Sequence, residues 1–276
     1  RIRVETLVGG LVADVVGGAA ANAVNIKNQG LTIRLGEELP VFRDQTVWRA
    51  DVFNPDPLDK HIAALSVYLK GPWINTRLVP PGGVPLAWRD LLNPKWKGKM
   101  VIVDPTTGVG STQFFLTMMR GGVMDEEFVK ALYRQELKFA LSPIDEASIL
   151  ARGESALSVM GVPSQYGRFV VEGAPIKAID MKDGVALVTS PTMMALAGPH
   201  PNAAKLFANW SFSQEGQEVY TRAASITPIR KDVHNSAPEA SQLTPQRPVA
   251  EIYDDVNRAA QLVSEQWLNK LWGRTR

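Results

Sequence analysis

The chain has 276 residues, enough for about two domains. Hydrophobic residues make up 45% and charged residues 21%, which excludes a mainly disordered chain. Lys+Arg is 30 and Asp+Glu is 28, so the net charge is only +2, which argues against a dedicated nucleic-acid binder with its clustered basic excess.

From the N-terminus, residues 12–16 read as a short buried strand stopped by Gly17-Gly18. The apolar stretches are too short to span a membrane. Residues 19–29 read as an Ala-rich helix with Gly30 as its stop. Residues 37–57 carry Pro40, Pro55 and Pro57 and read as irregular surface. Residues 62–69 read as a strand ended by Gly71-Pro72, with 73–76 continuing extended. Pro80-Pro81-Gly82-Gly83 is a loop, and 88–92 a short helical turn.

Met100–Val103 is a strand of four apolar residues, followed by a loop and a helix over 111–120. Residues 125–134 form a helix with Asp125 as N-cap, 144–152 a helix, 156–160 a strand and 165–172 a helix. Residues 176–180 and 186–188 read as strands, followed by 193–197. Residues 202–211 and 214–222 are two helices separated by Ser213. Residues 226–229 are short and extended, and 249–272 a long helix or helix pair. Strands alternating with helices point to α/β layers.

The chain has no cysteine and three histidines, His61, His200 and His234, with no HExxH pair. That excludes a thiol nucleophile and a CxxC zinc site and makes a histidine-rich metal site improbable.

The strand–loop–helix at residues 100–120 is the main candidate for chemistry. Its loop, Asp104-Pro-Thr-Thr-Gly-Val-Gly-Ser-Thr, lacks long side chains. Backbone N–H groups of Thr107, Gly108, Val109, Gly110 and Ser111 can converge at a helix N-terminus, which suits an anion. The hydroxyls of Thr106, Thr107, Ser111 and Thr112 add neutral donors. No GKS or GKT follows, so this is not a P-loop. The competing reading is an ordinary capped βα turn.

Two further loops follow strands in the same way. In Gly161-Val-Pro-Ser-Gln-Tyr, Ser164 would cap and Tyr166 would supply an aromatic wall or a donor. In Gly17-Gly18-Ala19-Ala20, Gly18 and Ala19 would face the ligand. Three such loops suggest one crevice at the carboxyl ends of strands. Trp73 and Asn75 are weaker candidates on a segment that crosses between lobes. No GxSxG elbow exists, and Asp145-Glu146 reads as helix-start capping rather than acid–base chemistry.

The segment Trp88-Arg-Asp-Leu-Leu-Asn-Pro-Lys-Trp-Lys-Gly-Lys resembles a signature of periplasmic solute-binding proteins of ABC importers. The family is the extracellular solute-binding family with iron(III)-, thiamine-, polyamine- and phosphonate-type members. Further pieces in the family's order are Ala13-Asp-Val-Val-Gly-Gly, Ile74-Asn-Thr-Arg-Leu-Val, Gly153-Glu-Ser-Ala, Gly198-Pro-His-Pro-Asn-Ala-Ala-Lys-Leu-Phe-Ala-Asn-Trp, Ser213-Gln-Glu-Gly-Gln-Glu-Val-Tyr and Ile226-Thr-Pro-Ile-Arg-Lys-Asp-Val.

The resemblance implies an α/β two-lobed periplasmic-binding-protein fold (type II), with a hinge and a ligand cleft between the lobes. Lobe 1 would be 1–75 and 190–232, and lobe 2 would be 76–189 and 233–276 with the C-terminal helices. Crossings would fall near 73–76 and 188–193. The family opens with additional strands, so the first part of lobe 1 is expected to be missing here, by about 60 residues.

The implied function is binding, not catalysis: no catalytic residues, no metal and no cofactor. A monomer would capture a small solute carrying a phosphate, phosphonate or carboxylate, and pass it to an ABC permease in the inner membrane. No nucleic acid is involved. The place would be the periplasm, or outside the cell on a membrane tether in a Gram-positive. Iron(III) members carry two adjacent tyrosines where this chain has only Tyr166, which disfavours iron. A polyamine ranks lower because the loops lack acidic residues apart from Asp104. The alternative of another class is an enzyme acting on a phosphorylated small molecule.

Overall fold

The computed structural model describes residues 12–18, 26–27, 29–44, 46–49, 61, 63–105, 110–189, 192–196, 198–224, 227–235, 248–250, 258, 262 and 266–273. Strands are β1 Val15–Gly18, β2 Ala63–Ala64, β3 Ser66–Asn75, β4 Met100–Val103, β5 Lys138–Ala140, β6 Leu157–Gly161, β7 Ile176–Ala178, β8 Val185–Thr189, β9 Thr192–Ala195, β10 Thr227–Pro228 and β11 Pro248–Ala250. Helices are α1 Leu35–Glu38, α2 Gly110–Arg120, α3 Glu126–Tyr133, α4 Pro143–Ala151, α5 Pro163–Val171, α6 Pro201–Ser211, α7 Gln214–Ala224 and α8 Trp267–Leu271. Among the described residues no helix is long and apolar enough to cross a membrane.

The chain divides into two compact units, 1–67 with 189–236 and 68–188 with 237–276. This division falls inside β3, at Val67/Tyr68. The strand does not stop at Gly71-Pro72. Pro72 has no N–H to give to a ladder, and the register with β6 shifts between Gly71 and Trp73, so the strand continues through a bulge. Trp73 and Asn75 then pair with β7 and belong to the second unit.

In the first unit β9 lies between β1 and β2 in an antiparallel sheet. The apolar centre is aromatic: Trp48 lies 5.4 Å from Phe42, and Phe42 5.0 Å from Phe212, between ring centres. The Arg230 guanidinium covers the Trp48 ring at 5.0 Å.

In the second unit the neighbouring strands run β11-β8-β3-β6-β4-β5, with β7 also on β3. β4 is parallel to both β5 and β6, and its four residues are all buried, as a two-sided parallel strand requires. Helix α2 buries Phe114, Phe115 and Met118, and α3 buries Phe128, Val129 and Leu132. Asp125 caps α3 by accepting from the Phe128 N–H at 2.6 Å. The expected helix over 249–272 begins instead as β11, which pairs in parallel with β8. Val249 packs so closely on Gly121 that a Cβ there would approach its Cγ1 to 2.5 Å. Arg258 and Leu262 are helical, as expected, α8 follows, and Trp272 donates from Nε1 to the Val129 carbonyl at 3.1 Å.

Candidate functional site

Three parallel strands, β4, β5 and β6, end on one edge of the sheet in the second unit. Each is followed by a helix that opens there: α2 at Gly110, α4 at Pro143 and α5 at Pro163. Each helix start carries unpaired N–H groups and about half a positive charge. β3 runs antiparallel to β6 with Gly71 opposite Gly161, so Lys70 reaches the same edge.

Lys70 is only 6% exposed. Its Nζ donates to the Gly110 carbonyl at 3.0 Å and stands 5.6 Å from the centre of the Phe114 ring. A Cβ on Gly110 would lie 3.8 Å from that nitrogen. A buried ammonium thus sits at the first turn of α2, where the helix itself is positive. Both favour negative charge at this edge.

The second unit also holds a buried polar chain. Glu146 in α4 is fully buried. Its Oε1 accepts from the Ser158 hydroxyl at 2.8 Å, and the Tyr166 hydroxyl donates to Ser158 Oγ at 2.7 Å. Oε2 has no hydrogen-bond partner among the described residues. Burial pushes the Glu146 carboxyl up to about 7, against the pull of the Ser158 hydrogen bond and the Lys70 charge. Burial, then the neighbouring Glu146 charge, pushes the Tyr166 phenol well above its ordinary value. The Tyr166 ring lies 4.6 Å from Trp73. Gly161 is needed there, because a Cβ would come within 2.3 Å of Trp73 Cδ1.

The local sequence accounts for these positions. Ser142 caps α4 by accepting from the Asp145 N–H, and Pro143 takes the first helical position. Asp145 accepts from the Leu141 N–H at 2.9 Å, so it does serve as a cap. Glu146 does not. It shares the inward face with Ile149 and Leu150, three and four residues on. That spacing is the signal by which Glu146 could have been found. Lys70 could have been found as a lone charge inside an apolar strand.

The sequence candidates fall out as follows. Thr107, Gly108 and Val109 lie outside the described residues, as do Thr106 and Ala19. Gly110 opens α2 beside Lys70. Ser111 is buried and donates to the Val103 carbonyl at 2.9 Å, which ties the helix start to the end of β4. Ser164 is not the cap of α5: Val162 holds that position without a side-chain bond, and Pro163 leads the helix. Tyr166 is a fully buried core residue with an inward hydroxyl, not an exposed wall. Trp73 is likewise fully buried. Asn75 closes a turn, donating to the Leu150 carbonyl at 2.9 Å and accepting from the Arg77 N–H at 3.0 Å. Gly18 ends β1 opposite Thr192. The structure brings Gly110 and Ser111 together with Lys70 and keeps Gly18 in the other unit.

Comparison with known proteins fits this architecture. The periplasmic binding protein AfuA from Actinobacillus pleuropneumoniae, solved with fructose-6-phosphate, is 23% identical, with 98% of this chain and 84% of that chain covered and a TM-score of 0.70. Iron-bound HitA from Pseudomonas aeruginosa is 17% identical over 92% of this chain and 82% of that chain, TM-score 0.71. An ABC transporter structure from Clostridium perfringens is 20% identical over 99% and 87%, TM-score 0.72. The fold is therefore the α/β fold of the periplasmic binding proteins. An uncharacterized protein of Haemophilus influenzae is 27% identical over 164 residues, 58% of this chain, and the chain spans about half the length of that curated relative (47%). The sequence profile of the bacterial extracellular solute-binding proteins matches residues 41–247. That match covers most of the chain and both of its units, and the chain belongs to the bacterial extracellular solute-binding protein family.

Proposed function

We propose that this chain binds a small anionic organic solute, bearing a phosphate, phosphonate or carboxylate, and delivers it to the membrane permease of an ABC importer. The observation that carries the anionic part is Lys70, a buried ammonium at the first turn of α2 and at the carboxyl ends of three parallel strands. Family membership supports binding without catalysis. The likeness to a binding protein solved with a sugar phosphate is in line with a phosphorylated ligand. Thr107, Gly108, Val109 and Gly110 are proposed to add backbone donors beside Lys70, with Ser111 holding the helix start in place. The protein would act as a monomer in the periplasm, or outside the cell on a tether.

Iron(III) is a poorer fit on one specific observation. Tyr166, the single tyrosine at the position of interest, keeps its proton because it is buried and directed at Ser158, and a phenol in that state is a poor ligand for a hard cation.

Native mass spectrometry of protein purified from its host tests the proposal. One phosphorylated or carboxylated compound per chain is the expected result. Bound iron, or a cationic solute, overturns it. Gly108→Val is expected to weaken binding of the released compound at least tenfold while the second unit stays folded.

A further inference from the structure

The buried chain Glu146–Ser158–Tyr166 has no place in a simple anion cradle. A carboxylate within the field of the ammonium opposes the charge that would attract the solute. Its surroundings show how that conflict resolves. The elements packed on α4 are β4, β5, β6 and α5. β4 and β6 carry no charged side chain. On β5, Lys138 faces outward and pairs with Glu154 at 3.6 Å. On α5, Arg168 pairs with Glu172 on the exposed side, and Tyr166 is the titratable group that faces inward. Asp145 on α4 itself points to the Leu141 N–H, and Asp104 stands half-buried beyond the end of β4. Lys70 is the cation whose field acts on Glu146.

We propose that Glu146 is a specificity-determining residue of the anion site, taking a proton from solvent onto its unpartnered Oε2 when a phosphate-monoester dianion binds beside Lys70. The inference rests on the anion reading above and deepens it. With Glu146 ionised, the buried edge has no net side-chain charge from this pair. With Glu146 protonated, that opposing charge is gone from the edge where Lys70 and the α2 start lie. A dianion repels the ionised carboxylate about twice as strongly as a monoanion does. A phosphate monoester therefore gains more from the protonation than a carboxylate, and the site favours it. The position of the Glu146 carboxyl, at about 7, makes the proton available for exchange near neutral pH.

The test is calorimetric titration with fructose-6-phosphate, at pH 7 and 8.5, in buffers of different ionisation enthalpy. The phosphate is a dianion across this range, since its second pKa is about 6, so any pH effect comes from the protein. Wild type is expected to take up about half a proton or more per solute and to lose affinity about tenfold from pH 7 to 8.5. Glu146→Gln is expected to bind without proton uptake and with affinity independent of pH. Should that variant fold poorly, Ser158→Ala carries the test: losing the hydroxyl that stabilises the ionised form moves the affinity loss to higher pH. Binding without proton uptake in wild type overturns the role of Glu146 and leaves the anion reading standing. Failure of both fructose-6-phosphate and inorganic phosphate to bind overturns the phosphate reading of the site and this inference with it.

Discussion

Gln217 in the first unit and Glu146 in the second are both fully buried polar side chains on helices, and they are held in opposite ways. Gln217 donates from Nε2 to the Leu65 carbonyl at 2.9 Å and the Ser211 carbonyl at 3.2 Å, and accepts at Oε1 from the Ile229 N–H at 3.1 Å. It is neutral, fully bonded, and ties three segments of the first unit together. Glu146 is ionisable, has one oxygen bonded and one without a partner, and lies in the field of an ammonium. A buried neutral amide with every group satisfied stabilises a fold. A buried acid with a bare oxygen costs stability when it ionises. The second kind of group does not serve stability when ionised, and that sets Glu146 apart from Gln217.

The contrast can be broken by substitution. Gln217→Leu leaves two carbonyls and one N–H without partners inside the first unit, and is expected to cost about 4 kcal/mol at any pH in urea denaturation. A loss below about 1 kcal/mol would show that Gln217 is not the tie described.

Glu146 is expected to make stability depend on pH. Its folded-state pKa is raised, from 4.5 to about 7, so the folded state holds the proton more tightly than the unfolded chain. Stability is then highest below pH 4.5 as far as this group is concerned, and falls as pH rises to about 7, by up to about 3 kcal/mol. Glu146→Gln should remove that decline, so that the variant is more stable than wild type at pH 8. Equal slopes for the two proteins would place Glu146 with Gln217 as scaffold.

Ser158→Ala removes the donor to Glu146 and the acceptor for Tyr166, and is expected to cost about 1 to 2 kcal/mol at neutral pH. Arg168→Ala, which breaks an exposed pair with Glu172, should change stability by less than about 0.5 kcal/mol. A larger effect would mean that the outer face of α5 matters to the buried network.

The parts of this fold that depend on short-range pattern were legible in the sequence. Met100–Val103 is a strand because four apolar residues stand between a basic segment and Asp104-Pro105. The cap of α3 follows from Asp125, and the break between α6 and α7 falls at the residues expected. The parts that depend on partners were not. β3 runs through Gly71-Pro72 because a bulge on β6 absorbs the missing N–H, which no local signal announces. Lys138–Ala140 is a strand only because it lies beside β4, and Pro248–Ala250 only because it lies beside β8.

The site shows the same division. The glycine-rich loop could be read as a candidate for backbone anion binding, and of its residues 106–110 only Gly110 is among those described. Lys70 and Glu146 could not be joined from sequence, since they stand 76 positions apart in it and are brought into one unit by the packing of α4 on β6 and the pairing of β6 with β3. The helix was expected to start at 165 behind a Ser164 cap; it starts at Pro163 behind Val162, and Tyr166 faces inward.

Lys70 is proposed as the charge that holds the solute. Titrating wild type and Lys70→Met with fructose-6-phosphate, inorganic phosphate and ferric citrate, with thermal melting to confirm that both are folded, tests it most directly. Wild type should bind one of the two phosphates, and a folded Lys70→Met should lose at least tenfold in affinity for it. Unchanged affinity in the variant, or preference of wild type for the ferric probe, would contradict the account.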